Sequence, residues 1–164
     1  MPDLGITVSE TTTAARVGLL VGAASTQKVI SALAQAITAV GRAVSQGVAD
    51  NQVTNPNAAG SVTETLTGIV RYRESMASDA IAIGDVVDVV RGGLVWVLTE
   101  DAVAAGQTAF IRITADAGGP DGAARPVGGF RSDADGGEAT ECTRAVYRTS
   151  TTGIGLALVE INLP

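Results

Sequence analysis

The sequence predicts a mainly β protein, a small antiparallel β-barrel or sandwich with an extended N-terminal arm and a long glycine-rich loop. Short apolar or β-branched runs recur at roughly even spacing, and clusters of Gly, Pro, Asn and Asp separate them. Of the 164 residues, 46% are hydrophobic but only 3% are aromatic, so Val, Ile, Leu and Ala must build the core. We expect an arm over residues 1–24, one β-rich domain over residues 25–164 and the glycine-rich loop at residues 115–137.

The N-terminal arm begins with a polar segment. Residues 1–13 are rich in Thr and show no clear period, as expected of a terminus that needs a partner to become ordered. They lack the charged and apolar regions of a signal peptide. The apolar run at residues 17–24 is too short to cross a bilayer. We therefore expect a soluble protein with no membrane partner.

Residues 25–47 are compatible with two structures. Apolar residues recur at helical spacing at Val29, Leu33, Ile37, Val40 and Val44. Strand-like alternation is nearly as strong, and Gly41 would weaken a helix by about 1 kcal/mol relative to Ala. Local sequence leaves helix and strand open here.

The middle of the chain predicts strands and one tight hairpin. A turn-rich segment precedes an alternating strand that begins near Thr63. Two runs of five residues, 86–90 and 94–98, flank Arg91, Gly92 and Gly93, and a glycine pair favours a tight turn between paired strands. A further strand is expected at residues 108–114, with Ala109, Ile111 and Ile113 on one face and Phe110 and Arg112 on the other.

The C-terminal part combines a loop with two strands. Residues 115–137 contain too few bulky side chains to form a core, so we expect a loop with one short strand near residues 127–131. Two strands should follow, near residues 142–151 and 156–164. In the last strand one face carries Ala157, Val159, Ile161 and Leu163.

The charge and the catalytic side chains exclude several functions. The net charge is −6 and Lys28 is the sole lysine, which argues against a nucleic-acid partner. The chain contains no histidine, the commonest general base and a frequent metal ligand. Asp85, Asp88 and Glu100 are the remaining acid–base candidates, and none has an orienting partner in the sequence. We expect no enzymatic activity and no cofactor.

The remaining reactive or charged groups favour structural roles. Cys142 has no second cysteine to pair with and is expected to be inert. The acidic stretch at residues 133–138 resembles the start of a calcium loop but lacks the later acid, so an acidic turn is favoured. Scattered arginines indicate a solvated surface, and Glu100 and Asp101 are expected to be solubilising strand ends.

Three stretches in order resemble one known family. They are VGLLVGAASTQKVISALAQAITAVGRAVSQG at residues 17–47, TGIVRYRE with GDVVDVVRGGLVWV at residues 67–97, and STTGIGLALVEINLP at residues 150–164. Together they resemble the structural cement, or head decoration, proteins of tailed bacteriophages. The resemblance implies extended structure over residues 29–44, so we predict strands rather than a helix there.

The resemblance also implies a function and partners. It implies a protein on the outer surface of an icosahedral head, where it bridges major capsid subunits and stabilises the shell. The expected partners are the major capsid protein and further copies of the chain, as a dimer or trimer, after synthesis in the host cytoplasm. On this basis the candidate capsid contacts are Leu4, Ile6, Val8, Val17, Leu19, Leu20 and Val21. Val95, Trp96 and Val97 are assigned to the core or to an oligomer interface.

A small β-barrel that binds a carbohydrate or another small ligand is the alternative function. Such a site would require exposed aromatic rings gathered on a concave face. The five aromatic residues are instead dispersed along the chain, at Tyr72, Trp96, Phe110, Phe130 and Tyr147. The sequence therefore favours the structural role.

Overall fold

The computed structural model describes residues 15–22, 26–76, 78–118 and 124–164. Within these ranges the chain is mainly β, with one short helix. The elements are β1 (Leu20–Val21), β2 (Lys28–Ala34), β3 (Thr38–Ala39), β4 (Ala43–Gln46), β5 (Gln52–Thr54), α1 (Ala59–Thr63), β6 (Leu66–Val70), β7 (Ala80–Ile81), β8 (Val86–Thr99), β9 (Thr108–Arg112), β10 (Phe130–Arg131), β11 (Ala139–Tyr147) and β12 (Gly155–Asn162).

The described part of the ambiguous segment contains strands, as the resemblance predicted for residues 29–44. β2, β3 and β4 occupy it. β2 pairs with β8 along six residues and with β5 at its end, so neighbouring strands satisfy its backbone groups. Tertiary pairing therefore overrides the helical spacing of its apolar residues.

One large sheet contains most of the strands. Their order is β10-β9-β11-β12-β8-β2-β5-β4-β6, and both ends return to β8 through β10–β8 and β8–β6 pairings. β1 also pairs with β8, and β3 with β7 forms a separate two-stranded sheet. The mainly β class is confirmed. Two details of the expected small antiparallel barrel or sandwich are corrected: the sheet is not a closed barrel, and the β2–β5 and β10–β8 pairs are parallel.

The hairpin predicted at Gly92 and Gly93 does not form. Both glycines lie inside β8, a single strand of 14 residues. Lys28 pairs with Gly92 whereas Val29 pairs with Val90, so Arg91 is an extra residue in β8. Gly93 has φ 128°, a conformation that side-chain-bearing residues rarely adopt. The glycines thus permit a β-bulge within a long strand and not a turn between two strands.

β8 contributes to two hydrophobic cores, and the bulge sets which of its later residues face the larger one. Val87 and Val89, before it, belong to the smaller core, with residues from β2, β4 and β5. Val90, Val95 and Val97 belong to the larger core, with residues from β9, β11 and β12. An extra residue reverses the inward and outward alternation of a strand, so Val90 and Val95 reach the same core although five positions separate them.

Of the other predictions from the sequence, some are confirmed and some are wrong. The last strand buries Ala157, Val159, Ile161 and Leu163, as predicted. The short strand expected near residues 127–131 is β10. The strand expected from Thr63 begins only at Leu66, because α1 occupies the preceding residues. Arg112 was expected on an outer face but is completely buried.

Candidate functional site

Three exposed apolar side chains lie on neighbouring turns near the end of β2. Ile37, Val48 and Ile83 are 69%, 89% and 66% exposed, the highest values among the large hydrophobic residues that the structure describes. We call these three residues the apolar tip. Single exposed hydrophobic residues are ordinary on protein surfaces, but a group of them indicates an interaction surface.

Backbone hydrogen bonds hold the turn that carries Ile83 against the end of β2. The Ala34 amide donates to the Asp85 carbonyl at 2.9 Å, and the Gly84 amide donates to the Ala34 carbonyl at 2.8 Å. The Ala82 amide donates to the Asp85 carboxylate at 2.9 Å, which closes the turn. These bonds fix the position of Ile83 relative to β2.

Side-chain amides brace the other two turns. The Val48 amide donates to Gln35 Oε1 at 3.0 Å, and Asn55 Nδ2 donates to the Ile37 carbonyl at 2.9 Å. Gln35 also joins the sheet through its own amide, which donates to the Val53 carbonyl at 2.8 Å. The apolar tip is therefore built on turns that are bonded to the strands.

Most charges around the apolar tip are acidic, although Arg42 lines a shallow cleft with Ile37. Residues 33–41, 47–57 and 78–86 contain three aspartates, Asp50, Asp79 and Asp85, and neither lysine nor arginine. Asp79 pairs with Arg16 at 3.0 Å. Within the described ranges, Asp50 and Asp85 form no salt bridge, so the tip has an acidic rim.

The N-terminal segment lies along β8 as far as it is described. The Gly18 amide donates to the Trp96 carbonyl at 2.7 Å, and the Trp96 amide donates to the Leu19 carbonyl at 3.0 Å. Leu20 and Val21 then form β1, which pairs with β8. Val17 packs where a Cβ on Gly41 would lie, 2.1 Å from Val17 Cγ1. Leu4, Ile6 and Val8 lie outside the described residues.

Arg16 anchors the beginning of the described chain. Its guanidinium lies over the Tyr72 ring, 3.8 Å from the centroid, and Nη1 donates to the Tyr72 hydroxyl at 2.8 Å. It also pairs with Asp79, the residue that precedes β7.

The three β8 residues assigned to the core or to an oligomer interface differ in exposure. Val95 and Val97 are completely buried in the larger core. Trp96 is half-buried and lies on the opposite face of the strand. The indole is therefore the one of the three that a partner can reach.

Arg112 lies at the centre of a buried ionic cluster. Its side chain is 0% exposed, and Nε donates to Glu100 Oε2 at 2.8 Å. Nη2 donates to Asp135 at 2.6 Å and Nη1 to Glu138 at 2.9 Å. Burial alone would lower the pKa of Arg112, but the hydrogen bonds to Asp135 and Glu100 outweigh it and raise that pKa.

The acidic stretch at residues 133–138 binds arginine side chains. Asp133 accepts a hydrogen bond from Arg131 Nη2 at 2.6 Å, and Asp135 bonds both Arg131 and Arg112. Among the described residues, no group of three or more Cys, Asp or Glu is arranged to hold a metal ion. The carboxylates of the acidic turn therefore serve to neutralise two buried guanidinium groups.

Glu100 is a buried acid, which corrects its expected role as a solubilising strand end. Its Oε1 atom is buried without a hydrogen-bond partner. Burial raises the pKa of Glu100 above its usual range, and the Arg112 hydrogen bond only partly opposes this. A Cβ on Gly129 would lie 2.1 Å from Oε1, so only glycine fits beside the carboxylate.

The other candidate reactive groups are also engaged. Arg73 Nε donates to Asp88 at 2.6 Å, and Ser31 donates to the same carboxylate at 3.0 Å. The Arg73 hydrogen bond lowers the pKa of Asp88 despite partial burial. Cys142 is buried, and that burial raises the pKa of its thiol. Asp85 and Glu100 have different partners, so the three candidate acids do not form one site.

Comparison with known sequences identifies the family. The family described as "Structural cement protein (E217 gp24/Pam3 gp6)", a phage cement family, matches residues 4–162. The chain belongs to the phage structural cement family. As a cement protein it has a structural role, in which it associates with the phage capsid and stabilises it.

Solved structures support the fold of the cement protein. A chain of "The capsid of Myoviridae Phage XM1" is 18% identical, with a TM-score of 0.68, and the match covers 90% of this chain and 89% of that chain. A chain of "The crystal structure of head fiber gp8.5 N base in bacteriophage phi29" is 12% identical, with a TM-score of 0.45 and coverage of 83% and 94%. The second likeness is too distant to add to the argument. No curated protein matches the sequence.

Sequence reasoning missed the apolar tip of the cement protein. Its residues come from three separate segments, and only the sheet brings them to one end. A weak signal is nevertheless present, since Val48 follows Gly47 and Ile83 precedes Gly84. A large apolar residue directly beside a turn glycine is a reason to look for an exposed contact.

The described part of the cement protein contains no helix long and apolar enough to be a membrane span.

Proposed function

We propose that the protein binds the outer surface of an icosahedral phage head and bridges neighbouring copies of the major capsid protein. The observation that carries this proposal is the family match over residues 4–162. The body suits the role because strand pairing around β8 joins two hydrophobic cores into one stiff unit. Such a unit transmits force between two contacts without unfolding.

Two contacts on each copy would give a high overall affinity even where each single contact is weak. Once the first contact forms, the second is intramolecular, and avidity can exceed either single affinity by about 10²–10⁴-fold. In our proposal the arm supplies one contact and the body supplies the other. Many such bridges would oppose the outward pressure of packaged DNA.

The first contact is assigned to the N-terminal arm. Leu4, Ile6 and Val8 alternate with small or polar residues. Such alternation suits pairing with an exposed strand edge or packing in a groove of the capsid protein. Leu19, Leu20 and Val21 extend the contact only where they remain accessible, because the same segment lies along β8.

Self-association as a dimer or trimer is the second part of the proposal. Trp96 is the residue of β8 best suited to it, since the side chains of Val95 and Val97 are buried in the core. Large aromatic side chains are frequent anchors of interfaces. The mass measured by light scattering distinguishes a dimer from a trimer.

The remaining partners and the location follow from the same role. We propose synthesis in the host cytoplasm and assembly onto the outside of the head, with no enzymatic step. The net charge of −6 supports a protein partner and not a nucleic-acid backbone.

Deletion of residues 1–13 tests the arm contact. We expect the shortened protein to keep the circular dichroism spectrum of the full chain but to bind expanded, cement-free heads at least about tenfold more weakly, because one of two contacts is lost. Co-sedimentation with heads across a protein titration measures this. A variant with Thr11, Thr12 and Thr13 replaced by Ser is the control, and it should bind normally. Co-sedimentation of the deletion variant equal to that of the full chain would contradict the arm assignment.

A further inference from the structure

We infer that the apolar tip is the surface through which the body docks on the capsid shell, against an apolar face with a basic rim. This inference rests on the proposed function, because it names the second of the two contacts that bridging requires. The tip comprises the three most exposed large hydrophobic side chains among the described residues, Ile37, Val48 and Ile83.

The local structure suits a preformed binding surface. The three turns are joined to β2 and β5 by the hydrogen bonds of Ala34, Gln35 and Asn55. Their side chains are therefore presented without a folding step. Binding by a preorganised surface loses little conformational entropy, so its buried apolar area contributes more fully to affinity.

The charge pattern favours one partner. Asp50 and Asp85 each follow a tip residue by two positions and have no salt bridge within the described ranges, while Arg42 lines a cleft with Ile37. A symmetric contact between two copies would place these acids against the same acids. Like charges across an interface are unfavourable, whereas lysine or arginine on the shell would complement them. The tip therefore fits the shell better than a second copy.

Two other exposed apolar residues lie in a different part of the surface. Leu98 and Ile154 are 43% and 54% exposed and line a shallow cleft with Arg42 and Glu100. They are less exposed than the tip and come from β8 and from the loop before β12. They provide a matched control on the same molecule.

The test compares two full-length variants in binding to expanded, cement-free heads assembled from the cognate major capsid protein. One variant carries Ile37→Ser, Val48→Ser and Ile83→Ser, and the control carries Leu98→Ser and Ile154→Ser. We expect at least a tenfold loss of co-sedimentation for the tip variant and less than a twofold change for the control. Both should keep the native circular dichroism spectrum, since every substituted side chain is substantially exposed.

A charge variant tests the nature of the partner surface. Asp50→Lys with Asp85→Lys should weaken binding to heads several-fold, and higher salt should weaken binding of the unchanged protein. Unaltered head binding by the tip variant would overturn the inference and leave the proposed function standing. A fall in oligomer mass for the tip variant alone would assign the tip to self-association and also overturn it. Failure of the unchanged protein to bind heads would contradict the proposed function itself.

Discussion

At the scale of single residues, Arg112 shows how a charged group can occupy the interior of this protein. Its guanidinium bonds Glu100, Asp135 and Glu138, so its charge is compensated within hydrogen-bond distance. The partners come from the end of β8 and from the turn before β11. The cluster therefore connects segments that are distant in the chain.

Replacement of Arg112 by Met should strongly destabilise the fold. The change leaves Glu100 buried without its main cation, and breaking a buried ion pair from one side costs about 3–5 kcal/mol. Urea denaturation measures the free energy of unfolding. Arg148→Met is the control, since Arg148 pairs with Glu160 on the surface and should cost no more than about 1 kcal/mol. Equal losses of unfolding free energy in the two variants would contradict the argument that a buried ion pair costs more to break than a surface pair.

Asp88 should make stability sensitive to acid. Because the Arg73 hydrogen bond lowers the pKa of Asp88, the folded state binds this proton less readily than the unfolded state. The stabilisation is present above the unfolded pKa and is lost as the pH falls below about 4, through the lowered pKa.

The variant Asp88→Asn should be less stable than the unchanged protein by about 1 kcal/mol at pH 7, a value reduced by the partial exposure of Arg73. The difference should shrink as the pH falls below about 4. Urea denaturation at several pH values measures it, with Asp50→Asn as a control for net charge. A difference that stays constant with pH would contradict the role of the Asp88 carboxylate.

At the scale of elements, β8 organises the molecule. Its first half lies between β2 and β6, and its second half lies between β12 and β1. The first half faces both cores through alternate residues, and the bulge at Arg91 keeps Val95 and Val97 on the same side as Val90. A strand of 14 residues with this bulge links the two parts of the sheet more firmly than a hairpin at the same position would.

Gly93→Ala tests the backbone requirement in β8. A Cβ at this position has room, since the nearest atom, Leu20 Cδ1, would be 3.4 Å away. The positive φ alone should therefore destabilise the variant, by about 1–3 kcal/mol. Thermal and urea denaturation measure this. Gly155→Ala, on the paired strand β12 with ordinary contacts and no positive φ, should change stability by less than about 0.5 kcal/mol. A Gly93→Ala variant as stable as the control would contradict the argument.

At the scale of the whole molecule, the packed cores and the exposed apolar residues lie in different parts of the fold. Valine, isoleucine and alanine fill both cores, and the ionic cluster fixes the turn before β11. The side chains of the apolar tip are exposed at the periphery. In the proposed function the rigid body resists deformation while the tip contacts the shell.

Much of this organisation could be predicted from the sequence. Alternation in the last strand is strong, since four apolar residues share one face from Ala157 to Leu163, and this face is buried. The mainly β class was also accessible, because valine-rich runs and turn residues are properties of the chain itself, whereas the family and its structural role came from the resemblance of three ordered stretches. Conversely, the hairpin at Gly92 and Gly93 was wrong, since a glycine pair permits a bulge as readily as a turn.

The sequence by itself determined that the protein is mainly β, acidic and poor in catalytic groups, because composition and local periodicity are enough to establish these properties. Only the tertiary structure decided that Arg112 is buried and that Ile37, Val48 and Ile83 lie on neighbouring turns. These outcomes depend on which distant segments become neighbours. Strand pairing between residues far apart in the chain fixes that choice, and no local pattern contains it.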